Sequence, residues 1–310
     1  MAKRKRWGKK FKDNKLWKIV NEQYVVRGEF LFDLDFVKSW DKELEEMNKG
    51  KRGAPFQFPE SFINWLAVLD QWISARGLQG VTRKFQKYGL IPKEANYSTI
   101  SIRINKIDTS FELPKEGNIS VSTDGSGMKM SNRGDYKETK YGDGKKKFLK
   151  VTISADPYQK KLLDIDVCID GEGDSESEIA MSHLENLIVL GYRIDRFFGD
   201  GAFDVHDLFD MLCQYAIQPS IKIRKNASID LDGKGSWKRK QEVLNYRKKK
   251  YKKWAKEKEY GRRWTGTEGI FSAVKGIFGE ETRSKSIKNM IHEVKRKFWA
   301  YDKMCAYAAT

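Results

Sequence analysis

Residues 118–125 read NISVSTDG, and they open the stretch of the chain that decides its fold. Two more segments rich in apolar residues follow, KKFLKVTISAD at 146–156 and KLLDIDVCID at 161–170, with turn-rich sequence between them. A helical pattern at 177–190, IDRFFG at 194–199, a helical pattern at 205–216 and IQPSIKI at 217–223 complete the series. Alternating or continuous apolar positions in short segments predict strands.

Three strands, then helix, strand, helix and strand, is the element order of an RNase H-like core. It predicts an α/β fold with a mixed sheet flanked by helices. The first three strands should form an antiparallel meander, and the later strands should add in parallel through helices. The first and fourth strands are then central neighbours. Asp124 in VSTDGSG and Asp200 in FFGDGAFD end these two strands, so their carboxylates should lie side by side.

A third acidic residue, Glu268, lies in RRWTGTEGIFSAVKG at 262–276. The apolar spacing predicts a helix over 267–277, with Glu268 in its first turn and Thr265 or Thr267 as its cap. Adjacent carboxylates repel and a divalent cation relieves that repulsion, so three such acids favour a metal site beside a phosphodiester. For either Asp-Gly pair alone, an ordinary turn is the favoured interpretation.

The net charge of +17 is concentrated in two segments. Residues 1–15 carry eight Lys or Arg against one acid, and residues 222–263 carry seventeen against five, so the rest of the chain is close to neutral. Segregated positive charge suits a polyanion such as DNA, although lysine-rich helices are often only solvated faces. A basic structural or ribosome-associated protein would share the charge, but it would leave the ordered acidic motifs unexplained.

Several other classes of protein do not suit the sequence. No segment approaches the roughly 18 apolar residues of a membrane span, and residues 1–12 lack the apolar core of a signal peptide. The three cysteines are isolated, which indicates neither a disulfide framework nor a zinc module. We therefore expect a cytoplasmic, nucleoid-associated protein without a membrane partner.

Residues 1–117 are predicted to form a basic arm and a helical DNA-binding domain. Three short helices, the second at 81–88, would give a helix-turn-helix-like reader with Arg103 and Lys106 at outer positions. Any small helical bundle would show the same pattern. Before these helices, GEFLFDLDFV at 28–37 alternates like a strand or an extended arm.

Residues 118–310 are predicted to form the RNase H-like catalytic domain, with a lysine-rich insertion at about 226–260 before the last catalytic helix. In the insertion, a seven-residue stripe should dock a helix against the protein. Its lysines should contact the DNA backbone without reading sequence. The stripe consists of Trp237, Leu244 and Tyr251, and the lysines are Lys248, Lys249 and Lys250.

Taken in order, the three acidic motifs resemble the DDE transposases of bacterial and archaeal insertion sequences. That family marks its third acid with Tyr, two residues, Arg, three residues, Glu, six residues and Lys. Here Tyr260, Arg263, Glu268 and Lys275 follow that order, with four residues instead of three between Arg263 and Glu268. The resemblance covers residues 118–304 and extends weakly into the N-terminal helices.

The resemblance implies a transposase that cuts the ends of its element and joins the freed 3′ ends to target DNA. Asp124, Asp200 and Glu268 would be the catalytic and metal-binding acids, with Mg²⁺ as cofactor and Mn²⁺ able to replace it. Lys275, Arg263 and Tyr260 would hold phosphates near the cut. The implied partner is double-stranded DNA, both terminal inverted repeats and target, bound by a homodimer. Two alternatives remain open: an RNase H-like metal-dependent nuclease without strand transfer, and a catalytically silent, transposase-derived DNA-binding protein.

Overall fold

The computed structural model describes residues 16–115, 117–131, 148–229 and 236–309. Within them the helices are α1 (Trp17–Glu29), α2 (Phe36–Asn48), α3 (Glu60–Leu69), α4 (Ala75–Lys87), α5 (Tyr97–Ile104), α6 (Glu176–Val189), α7 (His206–Gln214), α8 (Trp237–Glu257), α9 (Gly269–Phe278) and α10 (Ile287–Tyr307). The strands are β1 (Asn118–Lys129), β2 (Phe148–Asp156), β3 (Lys161–Ile169), β4 (Arg193–Gly199) and β5 (Gln218–Ile221). The basic arm at 1–15 and most of the turn-rich sequence between β1 and β2 lie outside the described residues. In the described part of the chain, no helix combines the length and apolar character that crossing a membrane requires.

The five strands form one mixed sheet in the order β3-β2-β1-β4-β5. Strand β2 pairs antiparallel with both β1 and β3. Strand β4 lies parallel to β1, and β5 lies parallel to β4. Helices α6 and α7 make the two crossover connections that parallel pairing requires. The predicted RNase H-like α/β fold is therefore confirmed, including the neighbouring central positions of the first and fourth strands.

The sheet separates two hydrophobic cores. On one face, Ile119 and Val121 of β1 and Phe197 of β4 pack with residues of α6 and α7. On the other face, apolar residues of β2 and β3 share a core with α9, α10 and the N-terminal helices. Because successive strand residues point to opposite faces, a slip of one residue in β1 would expose its apolar side chains. The register that sets Asp124 beside β4 is thus strongly specified.

An ion pair between a buried arginine and a partly buried aspartate links the N-terminal helices to the last helix. Asp70, which follows α3, accepts a hydrogen bond from Arg296 of α10 at 3.0 Å. Arg296 also donates to the side chain of Asn105, just after α5, at 2.7 Å. Removing Asp70 would leave the buried charge of Arg296 without its ionic partner, which is destabilising. Helix α10 therefore ties α3 and α5 to the sheet, while the division of the chain into two domains stays a prediction.

The N-terminal helices differ from the prediction in two places. The segment GEFLFDLDFV contains the end of α1, a 3₁₀ turn (Phe30–Phe32) and the start of α2, so the predicted strand or arm is wrong. Its apolar residues at 30, 31, 34 and 37 pack against the core with spacings of three and four, which suit helical turns. Helix α4 begins at Ala75, well before residue 81, because the Ser74 hydroxyl accepts a hydrogen bond from the N–H of Gly77.

The insertion helix α8 does not dock through the predicted stripe. Trp237, Leu244 and Tyr251 are 64%, 47% and 48% exposed, so that prediction is wrong. The helix also breaks at Lys250, whose φ of 56° is non-helical, and a seven-residue stripe cannot stay on one face across the break. The side chains that α8 does bury are Arg239, Glu242, Val243 and Trp254.

Ion pairs hold α8 in place. Arg239 donates to both carboxylate oxygens of Asp204, at 2.7 and 3.2 Å, and both residues are buried. Lys258, just after the helix, donates to Glu242 at 2.8 Å. A prediction that counts only apolar residues misses such contacts, and this is why the sequence pointed to the wrong face of the helix.

Candidate active site

Asp124 lies in the central strand β1, and Asp200 directly follows its parallel neighbour β4. Ser122 pairs with Phe198 across these strands. Two residues further along both strands, Asp124 comes level with Asp200, and the period of two sends both side chains to the same face. The structure therefore places the first two predicted acids on neighbouring strands, level with the end of β4. The prediction that Asp124 ends its strand is wrong, because β1 continues to Lys129 through its pairing with β2.

A buried chain of hydrogen bonds fixes the backbone next to Asp124. The Thr123 hydroxyl lies 2.7 Å from the Ser154 hydroxyl on β2, and the latter lies 2.9 Å from Nδ1 of His183 on α6. All three residues are buried, and burial lowers the pKa of His183, which favours the neutral imidazole. The chain ties α6 to β1 and β2 and keeps Asp124 on the opposite face of the sheet.

Glu268 ends a π-helical turn, Trp264–Glu268, that leads directly into α9. The predicted helix start at 267 with a threonine cap is wrong. The Thr265 and Thr267 hydroxyls instead donate to the backbone carbonyl groups of Arg262 and Arg263. The helical backbone begins earlier because residues 264–268 already form a turn with wider hydrogen-bond spacing than an α-helix.

Arg263 joins the first and third acids. Its Nη1 donates to Oδ2 of Asp124 at 3.1 Å, and its Nη2 donates to Oε1 of Glu268 at 3.3 Å. Arg263 is only 7% exposed, and its Nε finds no hydrogen-bond partner among the described residues. One buried guanidinium thus holds together two carboxylates from distant parts of the chain.

The acids are partly removed from water, and their charges oppose one another. Burial raises the pKa of Asp124, an effect that Arg263 opposes and the charge of Asp200 reinforces. Burial likewise raises the pKa of Glu268, again against Arg263 and with contributions from Asp124 and Asp200. Carboxylates that repel at close range favour a cation between them.

A fourth carboxylate, which the sequence analysis missed, lies at the same end of the sheet. Glu176 is the first residue of α6, and a Cβ built on Gly125 would lie 2.5 Å from its Oε1, so the glycine leaves room for this side chain. Burial raises the pKa of Glu176. Lys150, with its Nζ 3.7 Å away, lowers that pKa, while the charges of Asp124 and Asp200 raise it.

Two further residues of the Tyr-Arg-Glu-Lys pattern lie next to these groups. Lys275 on α9 donates to the Ser126 hydroxyl at 2.9 Å, and Ser126 follows Asp124 by two positions on the same face of β1. Tyr260 is buried, which raises its pKa to about 12, and its ring centre lies 5.1 Å from that of Trp254 in α8. Lys275 is therefore close to the acids, whereas Tyr260 packs between Arg263 and the insertion.

The remaining predicted DNA-binding residues lie on the N-terminal helices and on α8. The Arg103 guanidinium turns back onto the ring of Phe56 at 4.8 Å, so it does not project outward. Lys106, Lys248 and Lys250 are exposed. Lys249 pairs with Glu257 at 2.7 Å. Contacts of these residues with DNA stay predictions.

Asp124, Asp200 and Glu268 offer carboxylate oxygens, which are suitable ligands for a hard divalent cation. In the described parts of the chain, no three His, Cys, Asp or Glu side chains are grouped closely enough to hold one metal ion as they lie. The Arg263 guanidinium lies between two of the acids, Asp124 and Glu268, and donates to both. Carboxylate oxygens are the ligands that Mg²⁺ prefers. The residues therefore fit such an ion once the guanidinium moves aside.

Comparison with known protein families identifies the family of this chain. A family model described as a transposase DDE domain matches residues 117–301, more than half of the 310 residues. The chain belongs to the DDE transposase family. A second model with the same description matches residues 25–133, which include α2 to α5 of this DDE transposase. No curated protein and no solved structure matches the chain. The resemblance to DDE transposases drawn from the sequence motifs is thus confirmed, and the first match spans all three acids.

Proposed function

We propose that this DDE transposase cuts DNA at the ends of an insertion sequence and joins the cut ends to target DNA. The observation that carries the proposal is that Arg263 links Asp124 to Glu268 while the charge of Asp200 raises the pKa of both acids. Crowding like charges in a partly buried place costs stability, which ordinary packing gives no reason to incur. Membership of the transposase family supports the same conclusion.

In this proposal Asp124, Asp200 and Glu268 are the catalytic residues and hold divalent ions, Mg²⁺ or its substitute Mn²⁺. When bound, these ions activate the attacking oxygen and stabilise the leaving oxygen. Lys275, oriented by Ser126, would hold a non-bridging phosphate oxygen as a point charge. The buried ring of Tyr260 would pack against the Arg263 guanidinium rather than contact DNA directly.

The two proposed steps are substitutions of one kind at phosphorus. In the cut, water adds to the phosphorus and the P–O3′ bond breaks, and the leaving oxygen takes a proton to become a 3′-hydroxyl. In the joining step that hydroxyl loses its proton and attacks a target phosphodiester, whose own O3′ leaves and is protonated. Because the bond made and the bond broken are alike, one set of carboxylates can serve both steps.

DNA binding is divided between two regions in this proposal. The exposed lysines of α8 would contact the backbone of double-stranded DNA without reading its sequence. The packed helices α3, α4 and α5 would recognise the terminal inverted repeats, and a homodimer would hold both ends. The charge asymmetry of the sequence supports a polyanionic partner.

The test is an excision and integration assay on a plasmid that carries the gene with its flanking DNA, run for wild type and Glu268→Gln. Glu281→Gln is the matched control, since it removes the same charge from a side chain that is 71% exposed. We expect excision and joining by wild type and Glu281→Gln, and loss of both in Glu268→Gln. Cutting without joining by the wild type would identify a nuclease instead. Specific binding of the ends without cutting would identify a silent DNA-binding protein.

A further inference from the structure

The environment of Arg263 differs from that of a typical DNA-contacting arginine, whose guanidinium is exposed. It is buried, and two of its nitrogens are engaged by Asp124 and Glu268. A guanidinium has five N–H donors, and the Nε donor of Arg263 has no partner in the described structure. An orphaned buried donor is costly, so the present arrangement leaves part of the binding capacity of this side chain unused.

The guanidinium lies between the carboxylates of Asp124 and Glu268, where a cation bridging them would also lie. Its contacts of 3.1 and 3.3 Å are with one oxygen of Asp124 and one oxygen of Glu268, the first and third acids of the proposed metal site. Two cations cannot share that space. A divalent ion that bridges these same two oxygens would displace the guanidinium, and Arg263 would then need other acceptors.

Two aromatic rings flank the Arg263 guanidinium, one buried and one exposed. The guanidinium carbon of Arg263 lies 5.7 Å from the ring centre of Tyr260 and 5.1 Å from that of Trp264. Tyr260 is buried, whereas Trp264 is 54% exposed. Cation–π contact along the Trp264 ring would support the guanidinium as it moves outward toward solvent. A phosphate at the mouth of the site would offer the paired oxygens that a guanidinium binds best.

We propose that Arg263 is a positioning residue that takes the place of the metal: it holds Asp124 and Glu268 together in the metal-free protein and passes to a DNA phosphate when a divalent ion binds. The inference rests on the proposed function and adds a property to it. Ion binding and phosphate binding are coupled through one side chain. Linkage requires the coupling to be reciprocal, so each ligand tightens the binding of the other by the same factor.

The first test measures binding of Mn²⁺ to DNA-free protein by the loss of the free-ion electron paramagnetic resonance signal. Arg263→Gln should bind Mn²⁺ more tightly than wild type, by about 5–150-fold, the usual range for coupling between sites. Arg262→Gln is the matched control. It removes the same charge one position earlier, from an exposed side chain that stacks on Tyr158. Its Mn²⁺ affinity should stay within about twofold of wild type, because an exposed charge is largely screened by salt.

The second test measures coupling by fluorescence anisotropy of a labelled DNA duplex, with EDTA and with Mg²⁺ at constant ionic strength. Mg²⁺ should tighten DNA binding by wild type clearly more than by Arg263→Gln. If Arg263→Gln does not show cooperative unfolding and is therefore not properly folded, Arg263→Lys replaces it in both tests. A single ammonium cannot present two parallel donors, so this variant should also bind Mn²⁺ more tightly than wild type.

The outcomes separate this inference from the proposed function. The role of Arg263 would be overturned if Arg263→Gln bound Mn²⁺ no more tightly than wild type. It would also be overturned if Mg²⁺ increased the DNA affinity of both proteins by the same factor. Neither result would contradict the metal site itself. Asp124→Asn tests that site itself and should lose Mn²⁺ binding. If wild type binds Mn²⁺ no better than Asp124→Asn, the proposed function and the inference both fall.

Discussion

Arg263 and Glu268 contact each other at 3.3 Å although five positions separate them. An α-helix turns about 100° per residue, so residues four apart share a face and the fifth has rotated past it. The π-helical turn Trp264–Glu268 closes its hydrogen bonds one residue later and returns Glu268 to the side of Arg263. The backbone thus absorbs the residue that this chain has in excess of the family spacing.

The π-helical turn depends on a glycine, which gives a first prediction. A Cβ on Gly266 would lie 3.0 Å from Cβ of Pro157 and 3.2 Å from Cβ of Ser122 on β1. We expect Gly266→Val to lower the free energy of unfolding by about 1–3 kcal/mol, as overpacking does. Urea denaturation measures the change. Gly276→Ala is the control, since open space surrounds that position in α9. A Gly266→Val protein as stable as wild type would show that the turn adjusts freely.

The sheet was predictable because its signal is local and repeated. Alternation at Ile119 and Val121 identifies a strand, and the order of seven elements restricts the topology to few choices. Once β1 and β4 are neighbours, the proximity of Asp124 and Asp200 follows from register alone. These inferences need no knowledge of any single side-chain contact.

The missed features rest on polar contacts that leave no periodic pattern. Arg263 meets Asp124 across 139 residues of sequence, and Arg239 meets Asp204 across 35. Glu176 did leave one signal. Ser175 and Glu178 form a capping box, which fixes the start of α6 just beyond β3, and Glu176 there lies beside Gly125, the residue after Asp124. A search for acids beside predicted helix starts would have found it.

A second prediction concerns pH. Burial raises the pKa of Asp302 on α10 to about 6 from an ordinary 3.8, partly opposed by Lys161 and Lys303. The folded state then binds more protons than the unfolded state between about pH 4 and 6, so this residue lowers stability as pH rises through that window. Asp302→Asn should gain up to about 3 kcal/mol over wild type between pH 4 and 7.5. Urea denaturation at both pH values measures this gain, and parallel curves for the two proteins would contradict it.

A third prediction separates the lysines of the α8 cluster. Lys248 and Lys250 are exposed, whereas Lys249 is engaged by Glu257 at 2.7 Å. If the exposed pair contacts phosphates, each neutralisation should reduce the slope of log affinity against log salt by about 0.9. Lys248→Gln and Lys250→Gln should show this in anisotropy titrations on a random duplex. Lys249→Gln is the internal control and should change the slope less. Equal slopes for all three variants and wild type would remove α8 from the DNA-binding surface.

The last prediction concerns Glu176, whose carboxylate lies against Gly125 and whose pKa is raised by burial and by the charges of Asp124 and Asp200. A raised pKa in the folded state means that folding penalises the charged form, so Glu176→Gln should unfold in EDTA at the wild-type temperature or above it. Its attraction for a divalent ion is lost at the same time. The rise in Tm that saturating Mg²⁺ gives should therefore be smaller than in wild type, by about 1–2 °C.

Glu185→Gln provides the matched control for this experiment, because it removes an exposed carboxylate from the same helix. It should keep the full response to Mg²⁺. An equal response of Glu176→Gln and Glu185→Gln would show that the fourth carboxylate does not act on the ion. A smaller response of Glu176→Gln alone would extend the acidic site from three residues to four, with α6 contributing from the face of the sheet opposite to Arg263.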